Sequence, residues 1–388
     1  MPRKDITSGN WAVAEAMRQI NPDVVAAYPI TPSTDIPMKF SEFVADGLVD
    51  TNLVTVESEH SAISACVAAS VSGARVMTAS SANGVALMHE IFPIAASYRT
   101  PIVFGLVNRS LGAPINIHCD HSDSMAERDS GWIHIYCEDG QEVYDTTIMA
   151  VRIAEQKEVL LPVFVCQDGF ITSHCFEPIE FMDDEAVREF IGERDPLFPL
   201  LDVDNPVAYG SLALTDYYFE IKRQQVEAMK HVEKTYMDVA AEFAKITGRN
   251  YPLIDKYLTE DADYIMVIIS SAAGAAKETV DRLREQGHKV GCLRIRLFRP
   301  FPANAVVDAL KGAKAIAVCD RAASLGASAP LFTEIKGALY DAGMLIPANT
   351  YVYGLGGRDF FPHNAEEAFM DLINNNMSPE ERYLGLRE

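Results

Sequence analysis

The sequence predicts an α/β protein in two parts, each a mostly parallel sheet covered by helices. Three observations predict it. Short apolar, β-branched runs at 24–28, 53–56, 75–79, 101–107 and 161–166 alternate with helical stretches at 60–71 and 84–98, the pattern of strands buried on both faces. Residues 216–247 form a run rich in Lys, Glu, Gln, Met and Ala that reads as one long helix, stopped by Gly248 and Pro252. From Asp263 a second, shorter alternation begins, with strands expected at 264–269, 290–297, 313–320 and 350–354 and helices at 276–286 and 333–342. These boundaries divide the chain into a domain over 1–250, including its helical connection, and a smaller one over 251–388.

At the amino end, Ser8 is placed to cap a helix whose apolar face runs Trp11, Ala14, Met17 and Ile20, with Asn21-Pro22 as its stop. At the other end, the polar stretch after Asn374 reads as a frayed tail. The chain of 388 residues carries a formal net charge of −22. That balance argues against a nucleic-acid binder, which needs a concentrated basic face. Seven cysteines without a C-x-x-C pair leave no thiolate cluster for structural zinc or an iron–sulfur centre. The first residues lack an apolar signal core and no apolar run reaches membrane-spanning length, so the expectation is a cytoplasmic protein with reduced thiols.

Ligands of open α/β sheets sit outside the carboxyl ends of the strands. In the first part those ends deliver 28–34 (YPITPST), 57–60, 80–84, Asn108-Arg109-Ser110, Asp168-Gly169-Phe170 and Ser173-His174. Each has a plain structural reading. Pro29 and Pro32 stiffen a turn, Glu59 suits the positive end of a helix, Arg109 makes a surface ion pair, and Asp168-Gly169 is an ordinary turn. The alternative is that they converge in one cleft, where Glu59 binds a protonatable ring nitrogen and Thr31 with Arg109 holds a small carboxylate. His118-Cys119-Asp120-His121-Ser122-Asp123 has metal-ligand chemistry but no tetrahedral spacing, and a polar active-site or interface loop is the preferred reading. No P-loop, G-x-S-x-G or G-x-G-x-x-G string occurs. Gly354-Leu355-Gly356-Gly357 reads as a tight turn at a domain contact.

These strings together resemble a known family. YPITPST (28–34), ESEHSA (57–62), NRSLGAPINIHCDHSDSMAERDSGWI (108–133), DGFITSH (168–174), RPFP (299–302) and YGLGGRD (353–359) are similar to the alpha subunit of 2-oxoacid:ferredoxin oxidoreductases, nearest to the pyruvate-using branch. The resemblance covers nearly the whole chain, and its long middle string is the specific part. It implies a pyrimidine-binding domain for thiamine diphosphate followed by a transketolase C-terminal-like domain. It further implies beta, gamma and ferredoxin-like delta subunits, with magnesium and iron–sulfur clusters on those partners, coenzyme A as acyl acceptor and ferredoxin as electron acceptor.

Carried over by position, Glu59 matches the glutamate that hydrogen-bonds N1′ of the aminopyrimidine. Pro29, Ile30 and Asn83 fall on the cofactor side. Thr31 and Arg109 match the residues that hold the substrate carboxylate and carbonyl. Asp120, His121 and Asp123 fall on a loop near the active site. Thr31 argues for a 2-oxo monocarboxylate, since an oxalate-using relative carries Arg there. The family's Ser-Ser-Gln-Gly is Ser81-Ala82-Asn83-Gly84 here, which keeps 2-oxobutyrate or a branched 2-oxoacid as alternatives to pyruvate. A thiamine-diphosphate component that works without ferredoxin, and a non-catalytic scaffold, are the remaining readings.

Overall fold

The computed structural model describes residues 3–387. Ser8 ends strand β1 (Arg3–Ser8), and its hydroxyl caps helix α1 (Gly9–Ile20) by accepting the Trp11 N–H at 3.4 Å. Ala14, Met17 and Ile20 are buried as expected, but Trp11 is 42% exposed. Its ring instead packs edge-on against Phe176 under the Lys39 ammonium. The expected alternation follows: β2 (Val24–Ala27), α2 (Asp35–Ala45), β3 (Asn52–Thr55), α3 (Glu59–Val71) and β4 (Val76–Ser80).

The single helix expected over 84–98 is two, α4 (Ala82–Met88) and α5 (Phe92–Ser97). Pro93 lies in the first turn of the second, where its missing N–H is harmless; one helix running through it would lack that bond and crowd the preceding turn. Then come β5 (Val103–Asn108), α6 (Ser122–Ala126), β6 (Ile133–Tyr136), α7 (Gly140–Glu155), β7 (Val163–Asp168), β8 (Phe176–Phe181), α8 (Asp184–Ile191) and the long α9 (Tyr218–Thr247). The last part carries β9 (Ile254–Tyr257), β10 (Tyr264–Ile269), α10 (Ala273–Glu285), β11 (Val290–Ile295), β12 (Leu297–Arg299), α11 (Ala303–Leu310), β13 (Ala315–Asp320), α12 (Pro330–Asp341), β14 (Ala348–Tyr353), α13 (Pro362–Ile373) and β15 (Arg382–Leu384).

Two large sheets result. The first has the order β12-β6-β7-β5-β4-β2-β3 and the second β15-β14-β13-β10-β11-β9, while β1 and β8 form a separate antiparallel pair. Only β12 and β9 run antiparallel to their neighbours in the large sheets. The strand expected over 290–297 therefore breaks at Arg296. Its end crosses back to the first sheet, where Leu297 pairs with Ile135. The polar tail is also more ordered than its composition suggests, because Arg382–Leu384 pairs with β14 as an edge strand. Phe92, Phe104, Trp132 and Phe164 pack as a buried aromatic cluster under the first sheet, with Trp132 stacked on Phe164 at 4.2 Å. Among the described residues no helix is long and apolar enough to cross a membrane. Six of the seven cysteines are buried and none is paired.

Candidate active site

In the first sheet the chain runs from β2 outward to β3, then returns to place β4 on the other side of β2. The reversal opens a crevice at the carboxyl ends of β2 and β4, the place where open α/β sheets take ligands. The loops after β2, β4, β5 and β7 all end there. Arg109, directly after β5, is buried, and its guanidinium donates Nη1 to the Thr31 carbonyl at 2.7 Å and Nε to the Asn116 carbonyl at 3.0 Å. The substrate pair expected from the sequence is thus in direct contact, with the Thr31 side of the turn exposed. Pro29 and Asn83 are exposed at the same end of the sheet, and Ile30 is half-buried.

Glu59 occupies the first turn of α3, whose cap is Ser58, accepting the Ser61 N–H at 3.2 Å. As a residue Glu59 is 7% exposed, and its carboxylate has no hydrogen bond or ion pair among the described residues. A carboxylate without a protein partner, on a residue otherwise packed into the protein, is free to accept a hydrogen bond from a ligand. The hydroxyl of Ser80, which meets the same point at Gly84, and that of Ser81, next along the chain, are buried without partners. Gly84 supplies the room: a Cβ there would sit 2.7 Å from Glu59 Oε1 and 2.5 Å from Ser80 Oγ. An open carboxylate, two unpaired hydroxyls and a glycine-made hollow suit a polar heteroaromatic ring such as an aminopyrimidine. The same chain offers little for a magnesium–diphosphate group. Asp139 caps α7 through the Glu142 N–H at 2.8 Å, and Asp168 is saturated.

The segment 118–123 is the part of the site that sequence reasoning placed but could not explain. Asp120 accepts from Ser110 Oγ at 2.6 Å and from the Gly356 N–H at 3.2 Å. His121 is buried and bonds Asp168 through Nε2 at 2.7 Å. The other Asp168 oxygen accepts from Arg321 Nη1 at 2.8 Å and from the Ser271 hydroxyl. Burial alone would raise the Asp168 carboxyl, but His121 and Arg321 outweigh it and hold it well below the usual carboxylate range. Cys119, His121 and Asp168 bring ligand atoms within 4.8 Å of one another. Asp168 is committed to His121 and Arg321 and burial pushes the Cys119 thiol up, so the group is built around a buried ion pair.

Arg321, Ser271 and Gly356 follow β13, β10 and β14 of the second sheet. The carboxyl ends of both sheets therefore face each other across this site. The Gly354–Gly357 turn docks on it, with Gly357 N–H on the Cys119 carbonyl at 2.6 Å and Asn116 Nδ2 on the Gly356 carbonyl at 3.0 Å. Arg321, Ser271 and Asn116 were missed from sequence. Applying the strand-end rule to the second alternation as well as the first would have flagged Arg321 and Ser271.

The comparison with protein-family models decides the affiliation. Residues 15–241 match the model for pyruvate flavodoxin/ferredoxin oxidoreductase, thiamine-diphosphate-binding, and residues 262–365 match the pyruvate:ferredoxin oxidoreductase core domain II. The chain belongs to the pyruvate flavodoxin/ferredoxin oxidoreductase family. It is 57% identical to the pyruvate synthase subunit PorA of Thermotoga maritima, over 98% of this chain and 97% of that one. It is also 45% identical to the ketoisovalerate oxidoreductase subunit VorA of Pyrococcus abyssi, over 92% of this chain and 91% of that one. Among solved structures, a 2-oxoglutarate:ferredoxin oxidoreductase from Magnetococcus marinus superposes with a TM-score of 0.74 at 20% identity, over 97% of this chain. This chain spans 65% of that one. A split-gene transketolase superposes with a TM-score of 0.54 at 12% identity, over 93% of this chain and 92% of that one. The oxidoreductase family's fold is thus a thiamine-diphosphate-binding α/β unit followed by a transketolase-like one.

Proposed function

We propose that this chain is the alpha subunit of a multi-chain pyruvate:ferredoxin oxidoreductase, which converts pyruvate and coenzyme A reversibly to acetyl-CoA and carbon dioxide and passes electrons to ferredoxin. The carboxylate of Glu59, without a protein partner on a residue only 7% exposed, carries the reading. Thiamine diphosphate, when bound, supplies the electron sink for loss of carbon dioxide from a 2-oxoacid. Glu59 holds the aminopyrimidine N1′ by a hydrogen bond, with Pro29, Ile30 and Asn83 around that ring. Arg109, anchored on the Thr31 carbonyl, directs its remaining donors at the substrate carboxylate, and the Thr31 hydroxyl faces the 2-oxo group. The division into 1–250 and 251–388 assigns the cofactor-facing residues to the first unit and the clamp of Arg321 and Ser271 to the second.

Beta, gamma and delta subunits complete the enzyme in this reading, bringing magnesium, the diphosphate site and the iron–sulfur clusters. One observation supports a chain made to be covered. Leu201, Val203, Leu212, Leu214, Tyr217 and Phe219 are all exposed within a short stretch beside α9, an apolar concentration that isolated proteins avoid. The identity shared with the ketoisovalerate oxidoreductase subunit favours a second reading, the same chemistry on a branched 2-oxoacid. Anaerobic viologen reduction by the assembled complex tests both, with pyruvate, 2-oxobutyrate and 2-oxoisovalerate as substrates beside Glu59→Gln. Loss of about 100-fold or more in turnover by an assembled Glu59→Gln complex is expected. Full activity in that variant would remove the assignment, and the preferred 2-oxoacid names the substrate.

A further inference from the structure

We infer that Asp123 is a positioning residue that holds the substrate-facing arginine and the cofactor-facing loop in register with each other. The inference rests on the reading of Glu59 and Arg109 given above. Asp123 is buried and has no ion-pair partner among the described residues. Its carboxylate is held by four neutral donors. Oδ2 accepts the backbone N–H groups of Ala82 at 2.9 Å and Arg109 at 3.0 Å, while Oδ1 accepts from Asn108 Nδ2 and the Ser124 N–H, both at 2.8 Å.

A carboxylate is costly to bury, and a loop staple needs no charge. What it offers here is two oxygens that only accept, so that one oxygen takes two backbone donors at once. Those two donors come from the ends of adjacent strands. Ala82 has φ +41°, a left-handed conformation that a residue with a side chain adopts only when held there. Two residues on lies Gly84, whose backbone approaches Glu59. Arg109 carries the guanidinium that meets Thr31. A single oxygen of Asp123 therefore fixes both the hollow beside Glu59 and the origin of the Arg109 side chain.

Burial pushes the Asp123 carboxyl up to about 6. The groups around it are Arg109, Cys119, Tyr136, Cys166 and the His121–Asp168 pair. Burial raises the thiols of Cys119 and Cys166 and the phenol of Tyr136, so they stay neutral, and Asp168 stays ionised. Protonating Asp123 turns one acceptor into a donor facing N–H groups, which releases Arg109 or Ala82.

The test uses the assembled complex with wild type, Asp123→Asn and Arg109→Met in parallel, measuring KM for the 2-oxoacid, KM for coenzyme A and kcat. Asparagine keeps the volume but can present only one oxygen. The expected result for Asp123→Asn is a rise of about tenfold in the 2-oxoacid KM with the coenzyme A KM unchanged. In wild type the 2-oxoacid KM should rise as pH falls below about 6, and that rise should be absent in the variant. If Asp123→Asn does not assemble, the wild-type pH profile decides alone, and a flat profile overturns the inference. Arg109→Met with a raised KM beside a normal Asp123→Asn overturns the positioning role only. An unchanged KM in Arg109→Met removes the reading of the site and this inference with it.

Discussion

Replacing Arg321 with Met tests how the two sheets are held across the site. Arg321 is 3% exposed, and its guanidinium meets the fully buried Asp168 at 2.8 Å. Methionine fills most of the volume and keeps the Arg321 carbonyl, which accepts the His121 N–H at 2.9 Å. What is lost is the charge opposite Asp168. Breaking a buried pair from one side costs about 3–5 kcal/mol because the other charge is stranded. His121 and Ser271 still bond Asp168, which points to the lower figure, about 3 kcal/mol. With 388 residues and an unfolding entropy of about 2.1 cal/mol/K per residue, the midpoint should fall by about 4 °C. Thermal denaturation of the assembled complex reads this directly. Adding Asp168→Asn removes the stranded charge, so the double variant should melt no lower than Arg321→Met alone. Because Asp168 is held below the ordinary carboxylate range, its contribution is present above about pH 4 and fades below it. An Arg321→Met shift under about 1 °C at pH 7 would refute the stranded-charge argument.

Three further outcomes follow from other parts of the molecule. Gly84→Ala places a Cβ 2.7 Å from Glu59 Oε1; turnover should fall by about tenfold or more while the melting point stays near wild type, and normal turnover would show that Glu59 has room to spare. Phe92→Ala removes a fully buried ring from the aromatic cluster and should cost about 3–5 kcal/mol, read as a drop in denaturation midpoint. Asp320 ends β13 and is buried against the start of α12, accepting the Leu331 and Phe332 N–H groups, and burial pushes its carboxyl up to about 7. A raised folded value means that its stabilising contribution is full only below the ordinary carboxylate value of about 4 and is lost progressively as pH rises to about 7. The wild-type melting point should therefore carry a declining component between about pH 4 and 7, levelling off above it, that Asp320→Asn abolishes.

Much of the fold was legible because buried parallel strands advertise themselves. Runs such as residues 264–269 are continuous in apolar residues, and helix stops such as Gly248 are local. The misses share a cause, which is that pairing partners lie far along the chain. IHIY at 133–136 is interrupted by His134, fully buried all the same. β12 is three residues long and belongs to a sheet whose other strands precede it by more than a hundred residues. The tail gains its strand only because β14 presents an edge.

The site divides in the same way. Residue type and position at strand ends, both local, were enough to nominate Glu59, Thr31, Arg109 and the 118–123 loop, and the family match drew on the same strings. What the sequence by itself determined is therefore chemistry: which groups stand at the carboxyl ends of which strands. Only the tertiary structure decided which of those groups are already satisfied. Asp168 read as a turn residue and is a buried ionic hub, because Arg321 reaches it from the other sheet. Asp123 read as one of several loop acids and is the acceptor that ties β4 to β5. Glu59 read as a helix-end acid and is the carboxylate left open, a fact that depends on every neighbour that does not reach it. Local propensity and periodicity act over a few residues, whereas hydrogen-bond satisfaction is a sum over all that folding brings near.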